Sequence, residues 1–153
     1  MIELAQAYTT FSQLGNKIKI NPILEIKNYQ NQMIYSKKTS KEKVMSEKVA
    51  FLINQALSND RARTLVFSPG SMLNIKNRTV AVKTGTTNNL RDNWCIGWTP
   101  SVLVVAWVGN NDNKPMSWVA SGISGATLCC SWRCGSVGGS MAGQPWQIPD
   151  GVS

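Results

Sequence analysis

The sequence predicts an α/β chain, α+β in layout, in which helices cover an antiparallel sheet. Apolar residues recur at helical spacing over residues 4–14 and again over residues 45–57. Strand-like segments then follow in quick succession, at residues 79–84, 93–98 and 102–108. Only Thr99, Pro100 and Ser101 separate the last two segments, which favours an antiparallel hairpin.

The two predicted helices have recognisable ends. Gly15 follows the first helix at a place where a residue with positive φ can end it. Ser46 is a candidate N-cap of the second helix, with Glu47 in its first turn. The sequence Ser-Asn-Asp at residues 58–60 predicts the end of that helix.

Shorter elements are expected around the helices. Residues 18–26, which Asn21-Pro22 interrupts, and residues 33–35 predict two short strands joined by a turn. Residues 65–77 predict a loop. Residues 102–108 are apolar on both faces, so we expect them to form a central strand covered on both sides.

Composition excludes several classes of function. The chain has 153 residues, a formal net charge of +8 and no histidine, which excludes a histidine general base and imidazole metal ligands. Basic residues concentrate at Lys37, Lys38, Lys41 and Lys43, but Glu42 lies among them and few aromatic residues are near. We interpret the cluster as a solvated loop and expect no nucleic-acid partner.

The cysteines give no strong metal signal. Cys95 falls in a predicted strand, where a small buried side chain is the simplest interpretation. Cys129, Cys130 and Cys134 crowd into the tail without the spacing of a zinc site. We expect no metal and no cofactor.

The residues that suggest chemistry lie at the end of the first strand of the sheet. This strand ends in Lys83, Thr84, Gly85, Thr86 and Thr87. A strand edge offers backbone hydrogen bonds to an extended peptide, and glycine lets that peptide approach closely. Hydroxyl groups and a lysine add donors and a positive charge for a terminal carboxylate. A surface lysine at an ordinary strand end is the alternative interpretation.

A longer stretch makes the functional interpretation specific. Residues 80–113 read VAVKTGTTNNLRDNWCIGWTPSVLVVAWVGNNDN. This stretch resembles the third active-site motif of class A (bifunctional) penicillin-binding proteins and the segment that follows it in their transpeptidase domain. Residues 4–11 resemble the helix that follows the second motif, and the resemblance extends over residues 2–126.

The resemblance implies a serine β-lactamase/transpeptidase-like fold, here incomplete, and a D,D-transpeptidase that cross-links peptidoglycan. Its partners would be the D-Ala-D-Ala stem peptide, β-lactams and the rest of the parent polypeptide. Lys83 would support the catalytic proton network, and Thr84, Gly85, Thr86 and Thr87 would bind substrate. The parent enzyme would be anchored in the cytoplasmic membrane with this domain outside, although these residues carry no targeting signal.

Two departures from the family pattern bear on activity. The chain contains no Ser-x-Asn sequence, and its one Ser-x-x-Lys, Ser40 to Lys43, lies in the charged segment. A nucleophilic serine needs a desolvated lysine, so we expect Ser40 not to be catalytic and the chain to be inactive alone. A serine β-lactamase-related fragment, or a non-catalytic basic module that binds peptidoglycan or nucleic acid, remains an alternative.

The second departure is the tail. We divide the chain into a transpeptidase portion (residues 1–126), an aberrant segment rich in Cys, Gly and Ser (127–143) and a family-like tail (144–153). A local frame change in the gene, restored further on, would produce this pattern. It would also remove the helix that covers the sheet in the family and leave a poorly stable fragment.

Overall fold

A computed structural model describes residues 1–67, 69–75, 78–116 and 145–152. The described residues form three α-helices and seven β-strands. In chain order they are α1 (Ile2–Ser12), β1 (Asn16–Ile18), β2 (Glu25–Lys27), β3 (Met33–Ser36), β4 (Lys41–Lys43), α2 (Glu47–Ser58), α3 (Asp60–Phe67), β5 (Ala81–Thr86), β6 (Asp92–Trp98) and β7 (Leu103–Gly109).

The central feature is a three-stranded antiparallel sheet in the order β5-β6-β7. The backbone N–H of Thr99 donates to the Val102 carbonyl oxygen at 2.8 Å and closes the predicted hairpin between β6 and β7. The expectation that residues 102–108 form the central strand is wrong for the described sheet. There β6 lies in the centre and β7 at an edge, and every β7 residue remains partly exposed.

Both faces of the sheet are nevertheless packed, which explains the apolar character of β7. Neighbouring residues of a strand point to opposite faces, so each strand contributes to two clusters. The helix-side cluster is built on Phe51, Ala81, Ile96, Trp98 and Trp146, with side chains of α1 packed against it. The opposite cluster contains Leu73, Val80, Val82 and Cys95. The predicted α/β layout, an antiparallel sheet covered by helices, is confirmed, as is the buried position of Cys95.

Trp98 fixes the position of the two long helices on the sheet. Its ring lies edge-on to Tyr8 at a centroid distance of 5.2 Å and is fully buried. Its Nε1–H donates to Asn54 Oδ1 of α2 at 2.8 Å. Asn54 Nδ2 in turn donates to the Phe11 carbonyl oxygen of α1 at 2.8 Å. One buried amide therefore joins α1, α2 and β6.

Gly15 ends the first helix as predicted. Its φ is +92°, and its N–H donates to the Thr10 carbonyl oxygen at 2.7 Å. Its own carbonyl oxygen accepts from the N–H groups of Val44 and Met45 at 3.0 and 3.2 Å. A Cβ atom at this position would overlap the Met45 carbonyl oxygen. Glycine is therefore required both by the positive φ and by the close approach of the backbone at Val44 and Met45.

We expect Gly15→Ala to lower the free energy of unfolding by about 2 kcal/mol or more, because strain and a backbone overlap add. Gly70→Ala is the matched control, since Gly70 also has a positive φ (+74°) but has no atom within 4 Å of a Cβ. That control should cost about 1 kcal/mol. Urea unfolding measures both values, and equal costs would contradict the proposed overlap.

Several local predictions need correction. Residues 65–77 are not all loop, because Leu65–Phe67 form the last turn of α3, which begins at Asp60 directly after α2 ends. The lysine-rich segment is not only a loop, because Lys41–Lys43 pair with Asn16–Ile18 as strand β4, with exposed side chains. Ser46 lies at the N-cap of α2, but its side chain makes no capping hydrogen bond.

The tail is described in part. Residues 145–152 pack on the helix side of the sheet, where Trp146 is buried and its Nε1–H donates to the Ser12 carbonyl oxygen at 3.1 Å. The predicted aberrant segment at 127–143, with its three cysteines, lies outside the described residues. No helix within the described ranges is long and apolar enough to cross a membrane.

Candidate functional site

Strand β5 leaves the core half-way along its length. Ala81 and Val82 are buried, whereas Lys83, Gly85 and Thr86 are exposed and Thr84 is half-buried. β5 has a partner on one side only in the described sheet, namely β6. The sequence-predicted residues therefore lie together, on the outward half of an edge strand anchored by its buried half.

Lys83 and Gly85 share one face of β5. They pair with Ile96 and Trp94 of β6. Lys83 Nζ donates to the Thr84 carbonyl oxygen at 2.5 Å, which keeps the ammonium group beside the strand. A Cβ at Gly85 would meet only the Trp94 Cβ, at the ordinary contact distance of 3.9 Å. The described part of the chain thus gives no steric reason for glycine here.

Thr84 and Thr86 lie on the other face, and Thr86 has a dedicated partner. Asn93, directly opposite Thr86 in the register, donates from Nδ2 to Thr86 Oγ1 at 2.8 Å. Asn93 is only 1% exposed, so its side chain is fixed by the surrounding core. Because the amide occupies a lone pair of the hydroxyl oxygen, the Thr86 O–H proton is free to be donated outward.

Thr87 closes the connection between β5 and β6. Its N–H donates to the Asp92 carbonyl oxygen at 3.1 Å, and the Asp92 N–H donates to Thr87 Oγ1 at 3.0 Å. The loop between them is tied to the segment that follows β7, because Arg91 donates to the Asn113 carbonyl oxygen at 2.5 Å. Thr87 therefore shapes the end of the edge strand, and its hydroxyl is already engaged within the loop.

Asp92 stabilises the same connection between β5 and β6 through its side chain. Burial raises the pKa of its carboxyl group, but hydrogen bonds from Thr87, Trp107 and Trp94 outweigh burial and hold that pKa below its ordinary value. The Trp107 bond, from Nε1 to Asp92 Oδ2, measures 3.2 Å. A Cβ at Gly109 would overlap the Trp107 ring, so glycine lets the indole lie against Asp92. The carboxylate is thus ionised at neutral pH and holds the ends of β6 and β7 together.

Ser40 lies away from this edge. It borders a cavity of about 210 Å³ with Gln6, Lys17, Lys19 and Glu42. It directly precedes a strand, not a helix, so Lys43 does not follow it one helical turn later. Positions three apart along a strand lie on opposite faces, so this segment does not bring the two side chains together as one helical turn would.

Another cavity, of about 450 Å³, also lies elsewhere. It is lined by Ser12, Gln13, Pro100, Trp146 and their neighbours, none of which belongs to β5. In the part of the chain that the structure describes, no group of three or more Asp, Glu, Cys or His residues is placed to hold a metal ion. The chemistry available at the β5 edge is therefore backbone pairing, hydroxyl donation and one cationic charge.

Sequence reasoning located the residues of β5 but missed those that support them. Asn93, Asp92 and Trp107 fall within the family-like stretch at residues 80–113, but the sequence predicts no role for them. The signal for Asn93 is its polar side chain two residues before Cys95, on the same face of a strand that is otherwise mostly apolar and buried. A polar residue in such a position needs a partner, and the register supplies Thr86.

Comparisons with known proteins agree on one family. The family model described as "Penicillin binding protein transpeptidase domain" matches residues 1–126. Penicillin-binding protein 1B of Buchnera aphidicola is 32% identical over 117 residues, which are 74% of this chain and 15% of that protein. Penicillin-binding protein 1B of Escherichia coli K12 is 30% identical over 116 residues, 74% of this chain and 13% of that protein. The chain thus spans about a seventh of these relatives' length.

Solved structures share the fold. Penicillin-binding protein 1A from Haemophilus influenzae superposes with a TM-score of 0.74 at 19% identity, covering 97% of this chain and 28% of that one. PonA1 from Mycobacterium tuberculosis gives a TM-score of 0.71 at 20% identity, covering 99% of this chain and 41% of that one. The predicted β-lactamase/transpeptidase-like fold class, incomplete in this chain, is confirmed.

Proposed function

We propose that strand β5 of this chain forms one wall of the active site of a peptidoglycan D,D-transpeptidase. The chain belongs to the family of penicillin-binding protein transpeptidase domains. The ligand would be the D-Ala-D-Ala end of a stem peptide, or a β-lactam that resembles it. Such an enzyme would cross-link stem peptides through a serine acyl-enzyme. The parent polypeptide would hold this domain at the outer side of the cytoplasmic membrane.

One observation carries the proposal. Within the described residues, the outward half of β5 combines an unpaired strand edge, an exposed lysine, an exposed hydroxyl and a glycine for which there is no steric need. An extended peptide that adds to a strand edge gains backbone hydrogen bonds there. A peptide with a carboxylate at its end also gains the charge of Lys83 and the hydroxyl of Thr86.

Each residue would have a distinct role. Lys83 would attract the terminal carboxylate and support proton transfer at the nucleophile. Thr84 would line the strand, and Gly85 would keep the peptide path open. Thr86 would bind the carboxylate through its hydroxyl, and its backbone N–H would form half of an oxyanion hole. Thr87 would hold the strand end in place.

The nucleophile would come from another part of the parent polypeptide. These 153 residues contain no Ser-x-Asn, and Ser40 lies outside the β5 edge in a strand-flanking position. The chain alone would therefore bind the ligand without forming an acyl-enzyme. The rest of the parent polypeptide is the partner that would complete the site.

We expect backbone amide signals of residues 83–87 to shift when an N-acyl-D-Ala-D-Ala peptide is titrated into the isotope-labelled chain. Gly85→Val should abolish the shifts without changing stability, because a side chain there fits the chain but fills the peptide path. Lys83→Ala should weaken the shifts, because it removes the positive charge proposed to attract the carboxylate, whereas Lys38→Ala, which removes an exposed lysine elsewhere, should not. Shifts that survive Gly85→Val, or that spread evenly over the chain, would contradict the proposal.

Intact-mass measurement after incubation with penicillin tests whether the chain alone carries a reactive nucleophile. We expect no stoichiometric adduct on the chain alone. A stoichiometric adduct would overturn this part of the proposal, and Ser40→Ala would then show whether that serine carries it.

A further inference from the structure

The hydrogen-bond pattern of the sheet determines which backbone groups β5 presents at its unpaired edge. In an antiparallel pair, residues alternate between those whose N–H and C=O both point to the partner strand and those whose groups both point away. The Thr87 N–H donates to the Asp92 carbonyl oxygen at 3.1 Å, so Thr87 points toward β6. Counting back along β5, the backbone groups of Thr86 and Thr84 point away from β6, to the edge that has no partner in the described sheet.

The other end of the sheet leads to the same assignment. The Thr99 N–H donates to the Val102 carbonyl oxygen at 2.8 Å, so Thr99 points toward β7. Residues of a central strand alternate between its two neighbours, so Trp98 points toward β5, where it pairs with Ala81. Three positions after Ala81, Thr84 therefore points to the unpaired edge. The two connections of β6 thus agree on the direction of the Thr84 carbonyl group.

Lys83 covers this carbonyl group. Its Nζ donates to the Thr84 carbonyl oxygen at 2.5 Å. A peptide strand that added to β5 would use the same oxygen as an acceptor for one of its own backbone N–H groups. Because Lys83 is exposed, water competes with this contact, and a stronger partner can displace the ammonium group at modest cost.

We propose that Lys83 selects against peptides without a free terminal carboxylate, because its ammonium group stays on the Thr84 carbonyl oxygen until a carboxylate draws it away. A carboxylate binds an ammonium group more strongly than a neutral carbonyl oxygen does. A ligand with a terminal carboxylate therefore frees the Thr84 carbonyl oxygen for its own N–H. An amidated ligand has to displace the ammonium group without that compensation. This specificity rests on the function proposed for β5.

An amidated ligand separates this role of Lys83 from simple attraction. If Lys83 only attracted the carboxylate, removing its charge would weaken binding of the acid peptide and leave binding of the amidated peptide unchanged. If Lys83 also covers the Thr84 carbonyl oxygen, its removal weakens binding of the acid peptide but strengthens binding of the amidated one.

The experiment titrates N-acyl-D-Ala-D-Ala and its C-terminal amide into the isotope-labelled chain and follows the amide signals of residues 83–87. We expect the unmodified chain to bind the amidated peptide about tenfold more weakly than the acid. Lys83→Met keeps the length of the side chain but removes its donor. This variant should bind the amidated peptide about three- to tenfold more tightly than the unmodified chain does, and the acid more weakly.

Lys38→Met is the matched control, because it removes an exposed lysine outside β5 and should change neither affinity. If the acid peptide binds but Lys83→Met binds the amidated peptide no better than the unmodified chain does, the selection by Lys83 is rejected and the function proposed for β5 stands. Equal binding of both peptides to the unmodified chain leads to the same rejection. If the acid peptide does not bind the unmodified chain at all, the proposed function itself is rejected, and the selection with it.

Discussion

Replacing Asn54 with alanine is expected to lower the free energy of unfolding by about 3 kcal/mol, the largest stability effect of any single polar substitution proposed for this chain. The amide bridges Trp98 Nε1 and the Phe11 carbonyl oxygen, both at 2.8 Å, and Asn54 is fully buried. Alanine would leave the buried Trp98 N–H without its acceptor, would leave the Phe11 carbonyl oxygen with only the Leu14 N–H at 3.3 Å, and would open a small cavity between α1, α2 and β6. Urea denaturation measures the loss.

The chain supplies its own control, since Asn93 is also almost fully buried. Among the described residues, the Asn93 side chain makes one hydrogen bond, and its Oδ1 is a buried acceptor without a partner. Removing that unpaired acceptor offsets part of the cost, so Asn93→Ala should lose about 1 kcal/mol. If the two substitutions cost the same, the bridge of Asn54 does not organise the helix packing.

A double-mutant cycle isolates the Asn54–Trp98 contact. Trp98→Phe removes the indole N–H and keeps an aromatic ring against Tyr8. In the Asn54→Ala background this substitution should cost less than in the unmodified chain, because the N–H has already lost its acceptor. Additive costs would mean that the hydrogen bond contributes little.

The layered layout was predictable because it depends on local periodicity. The apolar stripe of α1 faces the sheet, and Gly15 ends α1 where its backbone requires glycine. The pattern of α2 is confirmed only in part, because Leu57 packs on the helix-side cluster whereas Val49 and Leu52 are exposed. The place of β7 at an edge was not predictable. Apolar residues on both faces indicate that both faces are covered, but they do not tell which neighbours a strand pairs with. Asn54 was missed for a similar reason, since its partners come from α1 and β6.

The residues of the candidate site likewise fall into two groups, those that a local sequence motif predicts and those that meet only through strand pairing. Lys83 to Thr87 are contiguous, so a motif could find them in the sequence. The support of Thr86 by Asn93 depends on the antiparallel register across a loop, which local pattern does not fix. Asp92 and Trp107 are separated by fifteen residues and meet only because β6 and β7 pair. Contacts of this kind need the register before they can be recognised.

Thr86→Val is expected to weaken binding of an N-acyl-D-Ala-D-Ala peptide by roughly 10- to 100-fold, because the proposed hydroxyl bond to the carboxylate is charge-assisted. Valine keeps the shape of threonine but not its donor. Stability should fall by about 1 kcal/mol, because the buried Asn93 amide loses the oxygen to which it donates. The measurement is the peptide titration followed through the amide signals of β5.

Asn93→Ala tests whether the carboxylate is recognised by an oriented hydroxyl or by any hydroxyl in that place. Asn93 Nδ2 holds Thr86 Oγ1 at 2.8 Å from a buried position and does not reach the exposed edge itself. It therefore acts on the ligand through Thr86, and its loss should weaken binding by several-fold only while Thr86 is present. In the Thr86→Val background the same substitution should change nothing further. An additive effect of the two substitutions would show that Asn93 acts through the strand as a whole, and its role as a positioning residue for Thr86 would be rejected.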